Sequence, residues 1–294
     1  MTGALIGCFG YYLGHKSNAP GEQVNSLSTT ESVNNNIIKG YALPEQMTFA
    51  GEVVPLNRAD VQERIDREIQ INAFWHSNSI ILIKRAGLWL PKIDSILVAN
   101  GIPSDFKYLA IAESGLTNAV SPARAVGFWQ LLKGTAKDFG LIVNRQVDQR
   151  YDPILSTLAA VKYLKKAKEK FGTWTLVAVS YNMGMSGTAS ILKNQKSATY
   201  YDMVMSEEPS RYVPRILALK HVFENLDRFG FDVNQAYQRP NTKKITVSEH
   251  IESWVDFCEK NGTTYYYLKR LNPWIRAHQL DLNQGQSIVV ELPV

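Results

Sequence analysis

Apolar residues in the first third of the chain recur with the period of an α-helix. Within 57–86 they stand four residues apart with charged residues between them, which predicts a helix with one buried face: Val61, Ile65 and Ile69. A second helix is predicted over 88–100 and would end at Gly101. Its inward positions are expected to be Leu90, Ile93, Ile96 and Leu97.

The helical pattern continues from Pro103 to about residue 228. One helix would open at Pro103-Ser104 and run out at Glu113–Gly115, and a loop over 116–126 would follow it. A short turn and a helix are predicted in "GFWQLLKGTAKDFGL". Because no run of residues before position 240 alternates like a strand, we expect the main domain to be all-α.

Two further helices are predicted in the middle of this domain. Asp152-Pro153 would start a long helix that ends at Phe171-Gly172. Its expected buried residues are Ile154, Leu155, Leu158, Tyr163 and Leu164. Thr173 is the expected cap of the next helix, "WTLVAVSYNMG".

The pattern changes after Pro240. "KKITV" and "GQSIVVEL" are typical of strands, and helical segments are predicted between them at about 248–260 and 263–271. The chain is therefore expected to be mainly α, with an all-α domain over 41–235 and a small βααβ domain over 243–294.

The first forty residues differ from the rest. Residues 1–14 are apolar from Gly3 onward but too short to span a bilayer, and "LIGC", ending at Cys8, is similar to a bacterial lipobox. Residues 15–40 are rich in Ser, Asn and Thr, as in a flexible linker. We interpret 1–14 as the remnant of an export signal or a lipoprotein anchor, which predicts a periplasmic protein, with anchoring to the outer membrane as the further possibility.

Charge and cysteine content narrow the classes of partner and cofactor. The formal net charge is +5, from 32 Lys and Arg against 27 Asp and Glu, which favours an anionic partner. The sequence contains no run of basic residues with interleaved aromatic residues, so nucleic acid is not favoured as this partner. Two distant cysteines and five unpaired histidines offer no metal-ligand spacing, so neither a metal nor another cofactor is expected.

Glu113 is the strongest candidate for chemistry. It follows "LAIA" at the end of a helix that is expected to pack in the core. A carboxyl there would be poorly solvated, which raises its pKa and lets it donate a proton near neutral pH. The alternative is an ordinary solvated acid at a helix end.

Three later stretches could line a cleft with Glu113. "GFWQ" combines a glycine that allows close backbone approach to a ligand, two aromatic rings that could stack on sugars, and an amide; the residues are Gly127, Phe128, Trp129 and Gln130. "SYNMG" and "EEPSRYVPRIL" add polar groups: Tyr181, Asn182, Glu208 and Tyr212. Taken singly, Trp129 and Tyr181 could equally be core residues.

The order "ES", "GFWQL", "SYNMG" and "RYVPRIL" over about 95–225 resembles the soluble lytic transglycosylases, in their membrane-bound type D group. This likeness implies a lysozyme-like catalytic domain. The chain departs from the family pattern at Ser180, where Ala is usual, and at Pro209-Ser210 after Glu208. The resemblance implies Glu113 as the catalytic residue, and Ser114, Ser121, Gly127, Phe128, Trp129, Gln130, Tyr181, Asn182, Glu208 and Tyr212 as substrate-binding residues.

The tail resembles a LysM domain, a module that binds glycans containing N-acetylglucosamine. The segments around Asn272-Pro273-Trp274 and 282–286 are responsible for the likeness, while Ser248-Glu249-His250 replaces the usual first turn. A packing or partner-contact domain is the alternative interpretation.

The resemblance implies cleavage of peptidoglycan between N-acetylmuramic acid and N-acetylglucosamine. Glu113 would protonate the glycosidic oxygen, the muramic acetamido group would assist at C1, and the Glu113 carboxylate would then take the proton of the C6 hydroxyl as a 1,6-anhydro ring closes. Ser121 would bond the acetamido group, Gln130 and Tyr181 would position the substrate, and Tyr181 or Asn182 could bond Glu113. Hydrolysis on the same fold, or wall binding without catalysis, are the alternatives.

Overall fold

Helices carry most of the chain in the computed structural model, which describes residues 38–232 and 236–294. "LIGC" and nearly all of the linker expected at 15–40 lie outside these residues. In the helical part, the elements are β1 (Thr48–Phe49), β2 (Glu52–Val53), α1 (Ala59–Phe74), α2 (His76–Ala99), α3 (Lys107–Ser114), α4 (Lys133–Asp138), α5 (Pro153–Phe171), α6 (Trp174–Met183), α7 (Met185–Gln195) and α8 (Glu207–Glu224). The remaining elements are β3 (Thr242–Val247), α9 (Trp254–Lys260), α10 (Tyr265–Leu271) and β4 (Ile288–Pro293).

Helix α6 lies at the centre of the helical part. Every residue from Thr175 to Ser180 is buried, which is the pattern of a helix enclosed on all sides. It packs against α5, α7 and α8, and α8 in turn packs on α1 and α3. The mainly helical prediction is confirmed, and none of the helices within the described residues is both long and apolar enough to cross a bilayer.

The first predicted helix boundary is wrong. The chain breaks at Trp75 instead of after residue 86, and α2 then runs unbroken through Gly87 and Pro91. Ser79 Oγ stabilises the break, since it donates to the Asn72 carbonyl at 2.7 Å near the end of α1. At Gly87 the segment after the main helices passes so close that an added Cβ would lie 2.4 Å from Ala236 Cβ. The glycine therefore serves close packing and does not end a helix.

The face of α5 that is buried in the structure also differs from the predicted buried face. Leu164 is fully buried, but Leu158 is 39% exposed. The buried face is made mainly of small residues: Ser156, Thr157, Ala159, Ala160, Val161, Leu164 and Ala167. Small side chains allow α5 to approach α6 closely, and periodicity counted on large apolar residues alone does not detect such a face.

The hairpin of β1 and β2 is too short to show in the sequence pattern, and it supplies a cap that Thr173 was expected to provide. Thr173 occupies the N-cap position of α6 but makes no side-chain cap bond. The Glu52 carboxylate instead accepts the backbone N–H groups of Trp174, at 2.5 Å, and Thr175, at 2.9 Å. A carboxylate at a helix N-terminus satisfies free N–H groups and complements the helix dipole.

The C-terminal part has the predicted βααβ order. β3 and β4 pair antiparallel from Thr242↔Pro293 to Val247↔Ile288, and α9 and α10 lie between them in sequence. Trp254, Leu268, Val290 and Leu292 form the centre of a separate hydrophobic core.

This core includes one residue of the helical part. Val147 lies in the loop between α4 and α5, yet it is 3% exposed and packs in the βααβ core. Backbone bonds fix the same loop: Asp148 N donates to Trp274 O at 2.9 Å and Arg276 N donates to Gln146 O at 2.7 Å. The two parts are thus joined by a buried contact as well as by the chain, and residues 40–294 form one compact unit.

Candidate active site

The end of α3 positions Glu113. Four consecutive residues of this helix, Tyr108 to Ile111, are buried, and Gly115 ends it in the left-handed conformation at φ +58°. The helix therefore presents Glu113 at the edge of the core, as the sequence predicts.

Glu113 has an unusual electrostatic environment. Loss of solvent on burial raises the pKa of its carboxyl to about 7, against an ordinary value of 4.5. A hydrogen bond from Tyr212 and the positive charge of Arg215 act in the opposite direction, and the Glu208 charge adds to the increase. The predicted raised pKa is confirmed, and the interpretation of Glu113 as an ordinary solvated acid is wrong.

The hydrogen-bond partner of Glu113 is Tyr212. The Tyr212 hydroxyl donates a short hydrogen bond to Glu113 Oε1. Tyr181, one of the two residues that could bond Glu113 according to the resemblance, donates instead to the Trp129 carbonyl at 2.7 Å. No bond from Asn182 to Glu113 is present among the described residues. The expected contact thus comes from a helix about thirty residues further along the chain.

Glu113 opens onto a cleft of about 600 Å³. Six of the residues predicted from sequence line it together: Glu113, Ser121, Gln130, Tyr181, Asn182 and Glu208. The cleft walls also include Leu132, Thr135, Tyr163 and Met183. The cleft volume falls in the range typical of small-ligand and substrate sites.

Glu208 is a second carboxylate in this cleft. Arg215 Nη1 and Nη2 donate to its two oxygens at 2.8 and 3.2 Å, and this pairing lowers the Glu208 pKa. Glu208 therefore stays ionised near neutral pH while Glu113 is partly protonated. Arg215 is a functional residue that the sequence motifs do not single out, although positions 208, 212 and 215 share one face of a helix.

The aromatic residues of "GFWQ" are core residues. Trp129 is fully buried and its Nε1 donates to Thr157 Oγ1 at 2.8 Å, and Phe128 is 3% exposed and packs edge-on against Trp89. Neither ring is placed to stack on a sugar in the cleft, so that expectation is wrong. Trp129 acts on the site indirectly, because its carbonyl anchors Tyr181.

Gly127 allows a close backbone approach, but to the protein itself. Its φ is +81°, and an added Cβ would lie 2.0 Å from the Arg150 carbonyl oxygen. The buried Arg150 side chain also donates to the carbonyls of Arg124 and Leu131, both at 3.1 Å, and pairs with Asp148 at 2.7 Å. Arg150 thus fixes the 116–131 loop through two of its backbone carbonyls. The sequence motifs do not single out this residue.

Three polar side chains, two in this loop and one at the end of α3, fix the conformation of the loop. Gln130 Nε2 donates to the carbonyls of Ala119 and Gly127 at 3.0 and 2.8 Å, and Ser121 Oγ accepts from Ala125 N at 3.0 Å. Ser114 Oγ donates to the Phe128 carbonyl at 2.9 Å, which ties the loop to α3. Ser114 lies outside the cleft lining, whereas Ser121 and Gln130 face it.

This geometry agrees with comparisons to known families. Residues 98–204 match the family model "Transglycosylase SLT domain", and residues 243–294 match "Soluble lytic transglycosylase C-terminal LysM-like domain". The chain carries an SLT domain. That domain is lysozyme-like, and it includes Glu113, the 116–131 loop, Tyr181 and Asn182, while Tyr212 and Arg215 lie beyond its matched end.

Curated relatives cover more of the chain. It is 24% identical over 236 residues to "Membrane-bound lytic murein transglycosylase D" from two Escherichia coli strains, K12 and O6:H1, an overlap of 78% of this chain. The chain spans about half the length of these relatives, since the match covers 51% of each.

Proposed function

We propose that this protein is a peptidoglycan lytic transglycosylase that cleaves the bond between N-acetylmuramic acid and N-acetylglucosamine and leaves 1,6-anhydro ends. The observation that carries this proposal is one carboxyl with a pKa of about 7, Glu113, in a cleft whose other carboxylate is held by an arginine. A group that is half protonated near neutral pH can act first as an acid and then as a base.

In the first step Glu113 protonates the glycosidic oxygen, and the C1–O bond breaks while the muramic acetamido oxygen bonds to C1. In the second step the C6 hydroxyl oxygen attacks C1, the acetamido oxygen leaves, and the Glu113 carboxylate takes the C6 proton. The protonated acid is thereby restored. No water is consumed, and no second catalytic carboxylate is needed.

Tyr212 suits this double role. Its hydroxyl stabilises the ionised form of Glu113 that exists between the two steps, while burial stabilises the protonated form that begins the cycle. The balance keeps the pKa near 7 instead of higher. The side chain also fixes one carboxyl oxygen, so that the other is free to face substrate.

The loop residues supply substrate contacts. Ser121 and Gln130 line the cleft, where their side chains would bond sugar acetamido or hydroxyl groups. Asn182 and Glu208 line the same cleft. The LysM-like domain would add contacts to the same glycan strand.

The deciding experiment is mass spectrometry of sacculi digested by the full chain. Anhydro ends weigh one water less than reducing ends, so a transglycosylase and a hydrolase give different masses. Anhydro muropeptides from the wild type and none from Glu113→Gln would support the proposal. Reducing ends as the sole product would overturn it.

One observation favours hydrolysis as the second candidate. Glycosidases that use water carry a second carboxylate, and Glu208 shares the cleft with Glu113. The pairing of Glu208 with Arg215 weakens it as a base. Under hydrolysis, Glu208→Gln would abolish release of reducing ends.

We also propose a periplasmic location, with attachment to the outer membrane through a lipidated Cys8. The support is the lipobox-like "LIGC" and the relatives whose name includes "membrane-bound". Labelling with a radioactive fatty acid tests the attachment, with Cys8→Ala as control; equal labelling of both would contradict it.

A further inference from the structure

A second cavity, of about 570 Å³, lies where the helical part meets the LysM-like domain. Its walls come from both sides: Trp89 and Lys92 on α2, Asp152 before α5, and Lys244 and Arg270 from the LysM-like domain. It shares no lining residue with the Glu113 cleft.

The lining carries four cationic and two carboxylate side chains, and the carboxylates are already engaged. Glu291 pairs with Arg239, and Asp152 accepts the N–H groups of Ile154 and Leu155 at 2.8 and 2.9 Å. Lys92 and Lys244 have no carboxylate within ion-pair distance among residues 38–232 and 236–294. Arg270 bonds the Tyr266 hydroxyl, at 3.4 Å. Three cations, Lys92, Lys244 and Arg270, therefore line the cavity without an ion pair in the part of the chain that the structure describes, and Lys244 lies opposite Glu291 in the β3–β4 ladder.

The lining of the cavity also has an aliphatic part. It is formed mainly by these side chains: Leu88, Leu116, Ile154, Leu155, Leu271 and Ile288. A cavity for inorganic phosphate alone would gather its cations at one point. Here Lys92 comes from the helical part and Lys244 and Arg270 come from the LysM-like domain, with aliphatic side chains in the same lining, which fits an extended ligand with several carboxylates and short aliphatic groups.

One loop separates this cavity from the active-site cleft. Leu116, Thr117 and Asn118 face the cavity, and Ser121 and Gln130 of the same loop face the cleft. The same short loop therefore borders both the cavity and the cleft.

We propose that this cavity binds the carboxylate-bearing stem peptide of a peptidoglycan strand whose glycan chain lies in the Glu113 cleft. The inference rests on the proposed function, and it names the part of the substrate that the second cavity takes. The lysines on the two walls would each meet a peptide carboxylate, while the aliphatic side chains of the lining would contact alanine methyl groups. The enzyme would thus prefer strands that still carry peptides.

The chain offers a matched control for one wall. Lys243 and Lys244 are neighbours in β3, so their side chains point to opposite faces of the strand, and only Lys244 lines the cavity. Lys244→Glu and Lys243→Glu change the net charge equally. Lys92→Glu tests the other wall.

The experiment measures binding of a synthetic, sugar-free stem tetrapeptide to the full chain by calorimetry at low salt. We expect Lys244→Glu and Lys92→Glu each to weaken binding about tenfold or more, because an attraction becomes a repulsion, while Lys243→Glu stays within about twofold of wild type. Thermal melts would verify that all three variants are folded. No peptide binding by the wild type, or equal weakening by Lys243→Glu and Lys244→Glu, would overturn the proposal.

A second measurement separates this proposal from the proposed function. Cleavage of peptide-bearing strands is compared with cleavage of strands freed of peptides by an amidase. We expect Lys244→Glu to reduce the preference for peptide-bearing strands, and an unchanged preference would contradict the peptide site. Failure to cleave either strand, with peptide binding intact, would instead refute the transglycosylase proposal alone.

Discussion

Tyr212 donates a hydrogen bond to Glu113 across 99 positions of sequence. The contact joins α8 to the end of α3, two helices that pack directly on each other. Glu113 therefore has its partner because of helix packing, and its pKa reports both its burial and this one bond.

Replacing Tyr212 by Phe should raise the pKa of Glu113. A hydrogen bond to a charged group is worth about 1.5–3 kcal/mol, so its loss should move the pKa up by roughly one to two units. Since the first step needs protonated Glu113, activity is lost as pH rises through this pKa, and the alkaline limb of the pH–rate profile should shift upward from about 7. Tyr181→Phe is the control, because Tyr181 bonds the Trp129 carbonyl; a matching shift there would argue against the assignment.

Glu113→Gln should abolish turnover while leaving the fold intact. General acid–base catalysis contributes about 10²–10⁴-fold, and one group serves both steps here, so the loss should reach or exceed that range. Muropeptide release is the measurement. Release of anhydro products at near wild-type rate by the variant would exclude Glu113 as the proton donor.

The same variant should change the pH dependence of stability. Unfolded Glu113 ionises near pH 4.5 and folded Glu113 near 7, so between these values the unfolded chain has released a proton that the folded chain retains. The wild type therefore loses stability as pH rises through this window, by roughly 3 kcal/mol once the pH exceeds 7. We expect the free energy of unfolding of Glu113→Gln to rise relative to that of the wild type as the pH rises through this window. Below about pH 4 the two proteins should be equally stable. Denaturant melts of both proteins from pH 4 to 8 test this, and a constant difference would show that the carboxyl is not desolvated.

Gly127→Ala should destabilise the protein. The added Cβ would meet the Arg150 carbonyl oxygen at 2.0 Å, at a φ of +81° that side chains disfavour, and the expected cost is roughly 2–5 kcal/mol. Gly134→Ala is the control: it lies in α4 with open space around its Cα, and it should be neutral or stabilising by up to about 1 kcal/mol. Chemical denaturation compares the two, and equal midpoints would refute the close approach.

Val147→Ala should destabilise the joined unit even though Val147 is a loop residue. It packs in the core of the LysM-like domain, and losing two buried methyl groups should cost about 1–3 kcal/mol. Val204→Ala, at a position 78% exposed, should change stability by less than about 0.5 kcal/mol. If both variants have the melting temperature of the wild type, the contact between the two parts contributes nothing to stability.

The amino-acid sequence was enough to predict the helical class, the βααβ tail and the position of Glu113 at a helix end. These features depend on residues within a few positions of one another: apolar periodicity, the stop at Gly115, and three small or apolar residues before the acid. The raised pKa of Glu113 could be predicted for the same reason, since burial of its own helix causes most of it.

Which side chains meet depends on the packing of the whole fold. Tyr212 rather than Tyr181 bonds Glu113, Trp129 is buried, and Val147 completes another domain's core. Each outcome depends on how helices and loops far apart in sequence pack, and a local pattern cannot distinguish a cleft-facing aromatic residue from a core one. Close packing fixes these choices, because the side chain that fills a given space is set by every neighbour around it.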